Sequence, residues 1–131
     1  MQPHRDWSEL ALANGVDVYR YQFTKENGYY GTNHSGEMIY CYGNLEKSSK
    51  QFAYDESDYS LSKTMVSYWA NFVKTGDPNG EGIANWPKWE NPSDGLMELG
   101  AHLGVIEEKA KKAYVILDAW KLREQARSQE A

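Results

Sequence analysis

Val16 to Phe23 (VDVYRYQF) restricts the fold more than any other stretch, because it is dense in β-branched and aromatic residues and reads as a strand. Neither face is cleanly polar. Val16 and Val18 share a side with Arg20 and Gln22, while Tyr19, Tyr21 and Phe23 oppose them. A strand of this kind needs cover on both faces, which sets it inside a layered arrangement. The rest of the chain must supply the layers. Leu61, Met65, Tyr68, Trp69, Phe72 and Val73 recur at helical spacing from Asp58 onward, with Asp55 or Asp58 as N-cap, Lys74 in the last turn, and Gly76 then Pro78 as a stop. A short helix is read over 7–14 before Gly15, with Trp7 and Leu10 on one side, and Glu37 to Asn44 is a short apolar piece that periodicity leaves as helix or strand, with a short helix preferred. Leu96 to Glu107 reads as a small hairpin around Gly100 and Gly104. A final helix over 107–127 presents Ile106, Ala110, Ala113, Tyr114, Leu117 and Trp120 on one face. Glu107 with Lys111 and Glu108 with Lys112 are expected as four-residue pairs along it.

Thr24 to Gly36 (TKENGYYGTNHSG) has three glycines and two asparagines and no period, so it is a loop of special backbone geometry. It holds His34, one of three histidines. His4 and His102 have nothing around them that suggests chemistry. His34 follows a strong strand, lies among glycines, and has Glu37 three residues later. A metal site is not expected, because H-x-x-E at 34 to 37 lacks a second histidine one turn away and the single cysteine, Cys41, cannot build a thiolate cluster. Cys41 reads as an apolar filler. No serine has the two flanking glycines of a nucleophile elbow. Taken alone, the residues offer a base without a nucleophile.

With 131 residues the chain holds at most one domain, and its mean hydropathy of −0.78 is low for a self-sufficient core. The 5 Trp, 10 Tyr and 3 Phe nevertheless argue against disorder. A net charge of −5 repels phosphate, so no nucleic-acid partner is expected. No apolar run is long enough to span a membrane, and no membrane partner is expected. One cysteine and the lack of a visible signal stretch favour the cytoplasm.

The segment GTNHSGEMIYCYGNL (31–45) resembles the histidine loop of the type B carboxylesterases, the family of cholinesterases and para-nitrobenzyl esterases. YWANFVKTGDPNG (68–80), with Trp86 and Pro87 after it, is similar to the same family's downstream signature, and VDVYRYQF to its last-strand region. Tyr42 stands where many members have Phe, and Cys41 where many have Val. The resemblance implies an α/β fold: the C-terminal portion of an α/β-hydrolase domain covering 1–131, with an incomplete sheet, a long amphipathic helix, a hairpin and a C-terminal helix. It implies that His34 is the general base of a serine esterase acting on small carboxylic esters, and that no cofactor is needed. Only thirty-three residues precede His34, so the nucleophile and acid are expected in upstream polypeptide missing from this sequence. That missing part is the expected partner, and the chain alone is expected to be inactive.

Glu37 is close enough to be a residue behind the base, yet a structural role, capping the next helix or pairing with a cation, is preferred. Tyr29 and Tyr30 are candidate walls of an ester pocket or packing under the loop. Trp69, Phe72, Trp86, Trp89 and Trp120 read as core, and Asp77, Pro78 and Asn79 as a structural turn. Asn33-His34-Ser35 is formally a glycosylation acceptor, discounted because a glycan would obstruct the base. Two other readings stand beside the esterase: a noncatalytic aromatic-rich module binding carbohydrate, and an association domain that forms homo-oligomers through uncovered apolar faces.

Overall fold

A computed structural model describes residues 2–26, 32–48 and 53–129. Helix α1 runs Gln2–Ala13, strand β1 Tyr21–Phe23, helix α2 Met38–Cys41, a 3-10 turn Leu45–Lys47, helix α3 Glu56–Thr75, strands β2 Leu96–Leu99 and β3 Leu103–Ile106, and helix α4 Lys111–Gln129. The sheet order is β1-β2-β3. β1 lies parallel to β2, with Tyr21 opposite Met97 and Phe23 opposite Leu99, and β2 and β3 form the expected antiparallel hairpin.

Regular pairing of the first strand is shorter than the pattern over 16–23, but the approach is extended and bonded. The Val18 carbonyl accepts from Trp89 N–H at 2.7 Å, the Arg20 carbonyl from Met97 N–H at 3.0 Å, and Thr24 N–H donates to the Leu99 carbonyl at 2.9 Å. Even-numbered residues thus turn their backbone groups toward β2. By the two-residue period, those of Tyr19, Tyr21 and Phe23 face the opposite edge, where no strand lies among the described residues.

Each face of β1 is partly covered. On one side Tyr19 and Phe23 pack against a core of Tyr40, Leu45, Leu61, Met65, Tyr68 and Trp86, built mainly from α2 and α3. Helix α3 is fixed by a capping box: Asp55 accepts from Ser57 and Asp58 N–H, and Asp58 accepts from Asp55 N–H. It ends at Gly76 with φ 79°, the left-handed geometry of a C-terminal stop. The stripe is narrower than its spacing predicts. Leu61, Met65 and Tyr68 are buried, whereas Phe72 and Val73 are exposed. Asp77 and Asn79 form the expected structural turn, in which Asn79 bonds both N–H and carbonyl of Trp86.

The other face carries the main departures from the sequence reading. Helix α1 begins at Gln2, well before Trp7, and Trp7 and Leu10 point outward. Glu108 does not pair along α4. It precedes that helix and turns inward to Arg20, because two charges at 10% and 6% exposure must neutralise each other. The Glu107 pair involves the Lys111 side chain, outside the described residues. Of the face expected on α4 only Tyr114 is buried. Trp120 is exposed, as are Val115, Ile116 and Leu122, and these apolar positions spread round the axis so that one docking face cannot cover them. The two terminal helices are tied by charges: Lys121 to Asp6 at 2.7 Å, Arg5 to Asp118 at 3.4 Å, and the Arg5 guanidinium over the Tyr114 ring.

Candidate active site

His34 sits in a tight turn that leads into α2. Gly36 N–H donates to the Asn33 carbonyl at 3.1 Å, and Met38 N–H to the Ser35 carbonyl at 3.2 Å. Among the described residues of the loop, Ser35 takes the left-handed geometry, with a φ of 64° that is costly for a residue with a Cβ, while Gly28 and Gly31 lie outside the described residues. A Cβ at Gly36 would meet the Asn33 side-chain oxygen, which would have to swing aside, and the Asn33 carbonyl at 3.1 Å. The turn thrusts the His34 side chain into solvent at the rim of an open groove of about 610 Å³.

The groove brings His34 together with Glu37, Arg20, Gln22, Glu108 and Tyr114. Glu37 occupies the N-cap position of α2, but its backbone is already helical and its side chain makes no cap bond, so the capping role is not met. Its carbonyl accepts from Tyr40 N–H, Cys41 N–H and Cys41 Sγ. Burial, helped by the Glu37 charge, pushes the Tyr21 phenol up to about 12 and the Cys41 thiol up to about 11. Cys41 is therefore a protonated filler at neutral pH, not a thiolate nucleophile. Tyr29 and Tyr30 lie outside the described residues.

The floor of the groove is a network that the sequence reading did not single out. Arg20 holds Glu108 in a fork, Nη1 to Oε2 at 3.1 Å and Nη2 to Oε1 at 3.0 Å, and stacks 4.8 Å above the Trp89 ring. Tyr114 Oη donates to Glu108 Oε1 at 2.9 Å, and burial together with that acceptor raises its phenol. The signal was present. A charge within a strand covered on both faces must have a buried partner. Glu108 is thus committed to Arg20 and Tyr114 and is not free to orient His34.

Two further features decide what the site can do alone. Ser8, which also lines the groove, donates its hydroxyl to the His4 carbonyl at 2.7 Å. No cluster of three or more metal-binding side chains occurs among the described residues. Across the sheet, a cleft of about 170 Å³ is lined by Tyr19, Tyr21, Tyr68, Trp69, Phe72 and Trp86. Its rings meet edge to face around buried Trp86, with Tyr68 at 5.2 Å and Tyr21 at 5.8 Å, an arrangement of packing rather than of open stacking platforms.

A sequence profile described as the carboxylesterase family matches residues 2–116. Mouse carboxylesterase 1C is 30% identical over 95 residues, covering 66% of this chain and 16% of that protein. Acetylcholinesterase 1 of Caenorhabditis elegans is 33% identical over 106 residues, 70% of this chain and 17% of that one. Among solved structures, an esterase from Clostridium hathewayi aligns with a TM-score of 0.73 at 26% identity, over 86% of this chain and 23% of its own. A Geobacillus stearothermophilus carboxylesterase aligns with a TM-score of 0.65 at 26% identity, over 78% and 22%. The chain spans between about a sixth and a quarter of the length of these relatives.

Proposed function

Because the chain belongs to the carboxylesterase family, we propose that it is the C-terminal part of an α/β-hydrolase domain and supplies His34 as general base to a serine nucleophile outside this sequence. The substrate class is a small carboxylic ester. His34 takes the serine proton as the ester carbonyl is attacked, returns it to the departing alcohol, and then activates water to release the acid. The observation that carries this reading is the exposed imidazole, set by a strained turn at the rim of an open groove in which no serine hydroxyl among the described residues bonds to it. Glu37 is a neighbour that tunes the site's charge, while the orienting acid comes from upstream polypeptide, since Glu108 is already engaged.

The open edge of β1 supports the same reading, because backbone groups of Tyr19, Tyr21 and Phe23 without a strand beside them suit continuation of the sheet. The isolated chain is then inactive, as a base without a positioned nucleophile and oxyanion hole loses most of the catalytic advantage. The experiment is hydrolysis of a nitrophenyl acetate by the chain alone and by the chain joined to the upstream region of the Geobacillus relative. Turnover by the joined protein with only free-imidazole background from the chain alone is expected. Comparable turnover by the isolated chain would reject the proposal.

A further inference from the structure

We infer that Asp58 is a positioning residue for His34: one buried carboxylate at the start of α3 holds both ends of the connector that carries the imidazole. Lys25 and Tyr40 bracket His34 in sequence, and both meet the same oxygen. Tyr40 Oη donates to Asp58 Oδ1 at 2.8 Å, and Lys25 Nζ stands 3.3 Å from that atom. The other oxygen accepts Asp55 N–H at 2.8 Å and so is locked into the capping box. Asp58 cannot swing to follow either partner. It is 4% exposed and Tyr40 fully buried, so the junction lies in a low-dielectric environment where losing one partner is costly.

Neighbouring contacts exclude slack at each end. Before His34, Lys25 Nζ also donates to Ser57 Oγ at 2.7 Å, and Thr24 Oγ1 donates to Glu98 at 2.6 Å. The hairpin turn presses on this point so closely that a Cβ at Gly100 would collide with the Thr24 side chain. After His34, Ser62 Oγ donates to the Tyr40 carbonyl at 2.9 Å, a second tie from α3 to α2. Among the described residues the connector's exits are therefore anchored to one helix turn, and that turn fixes where the imidazole is presented. An exposed catalytic side chain gains accuracy from such buried anchors, because its own contacts cannot provide it.

The inference rests on the reading of His34 as the base, but its test does not. The folded chain carries three histidines, all exposed, so the ring protons of His4 and His102 serve as internal references for His34 in an NMR spectrum. Lys25→Met cuts one end, Tyr40→Phe cuts the other, and Lys25→Arg preserves the charge. In both cutting variants the His34 ring resonance should move or broaden while His4 and His102 stay, and amide exchange at Gly36, whose N–H closes the turn, should quicken about tenfold as the turn opens more often. Lys25→Arg should restore the parent spectrum. Circular dichroism checks that each variant folds; should Lys25→Met fail to, Tyr40→Phe decides. A His34 signature and exchange rate unchanged in a folded cutting variant would overturn the inference and leave the esterase reading standing.

Discussion

The fork between Arg20 and Glu108 yields the sharpest energetic prediction. Arg20→Met removes both N–H···O bonds at 3.0 and 3.1 Å, leaving a carboxylate at 6% exposure with Tyr114 as its remaining donor among the described residues. Breaking one side of a buried pair costs about 3 kcal/mol, and loss of the cation over Trp89 adds about 1. That is a large share of the roughly 5 to 15 kcal/mol that holds a domain together. The double variant Arg20→Met with Glu108→Met leaves no orphaned charge, only the Tyr114 hydroxyl unsatisfied, at about 1 kcal/mol. Urea unfolding followed by tryptophan fluorescence measures all three variants. The single changes should each lower stability by about 3 kcal/mol or more, and the double change, which loses only the Trp89 contact and the Tyr114 acceptor, by about 2 kcal/mol, a coupling of about 4 kcal/mol. Lys88→Met, which cuts a pair with Asp17 half in solvent, should sit within error of the parent. Single variants within about 0.5 kcal/mol of the parent, or strict additivity, would refute the claim that a buried charge pair fastens the segment before α4 to the extended approach of β1.

Other consequences are simpler to read. Cys41 should resist thiol reagents at neutral pH and react only as the chain unfolds, since its thiol is held up to about 11. Stability should fall as pH rises from about 9 to 12, because the unfolded thiol and phenol lose protons that Cys41 and Tyr21, held up to about 11 and about 12, still retain. The Asp55 carboxyl is held below its ordinary 3.8 by bonds to Ser57 and Asp58, so its contribution is present above that value and is lost on further acidification. Asp55→Asn should flatten this acid limb in a thermal melt. Gly76→Ala meets no atom but must adopt φ 79°, costing about 1 kcal/mol, or about 4 °C in the melting temperature. Static light scattering should show mass rising with concentration, because Trp7, Val115, Ile116, Trp120 and Leu122 are left uncovered.

How much the sequence conveys depends on whether a residue's constraint is local. The caps of α3, the stop at Gly76, the hairpin and the Asp77 turn follow from contacts within a few residues, and all appear as read. The turn of His34 is legible in place but not in detail, because among the described residues of the loop it is Ser35 that takes the left-handed conformation. Burial was least legible. Helical spacing shows which residues share a side, not whether a neighbour covers that side, so Phe72 and Trp120 are exposed against expectation. Glu108 illustrates the same limit, since a four-residue spacing to Lys112 is outweighed by a partner far away in sequence. The sequence leaves Asp55 or Asp58 as the cap, and Asp58 takes the third helical position of the capping box behind Asp55. The link of Asp58 to Lys25 and Tyr40 required knowing that strand exit and second helix meet there.

Chemical rescue tests the central claim most directly. In the chain joined to the upstream region of the Geobacillus relative, His34→Gly should lose at least about a thousandfold in ester turnover. Free imidazole added to that variant should restore part of the loss, in proportion to its unprotonated fraction, whereas His4→Gly and His102→Gly should need no rescue. Turnover by the His34→Gly protein equal to that of its parent, or a loss that imidazole leaves untouched while acetate relieves it, would contradict the assignment of His34 as the base.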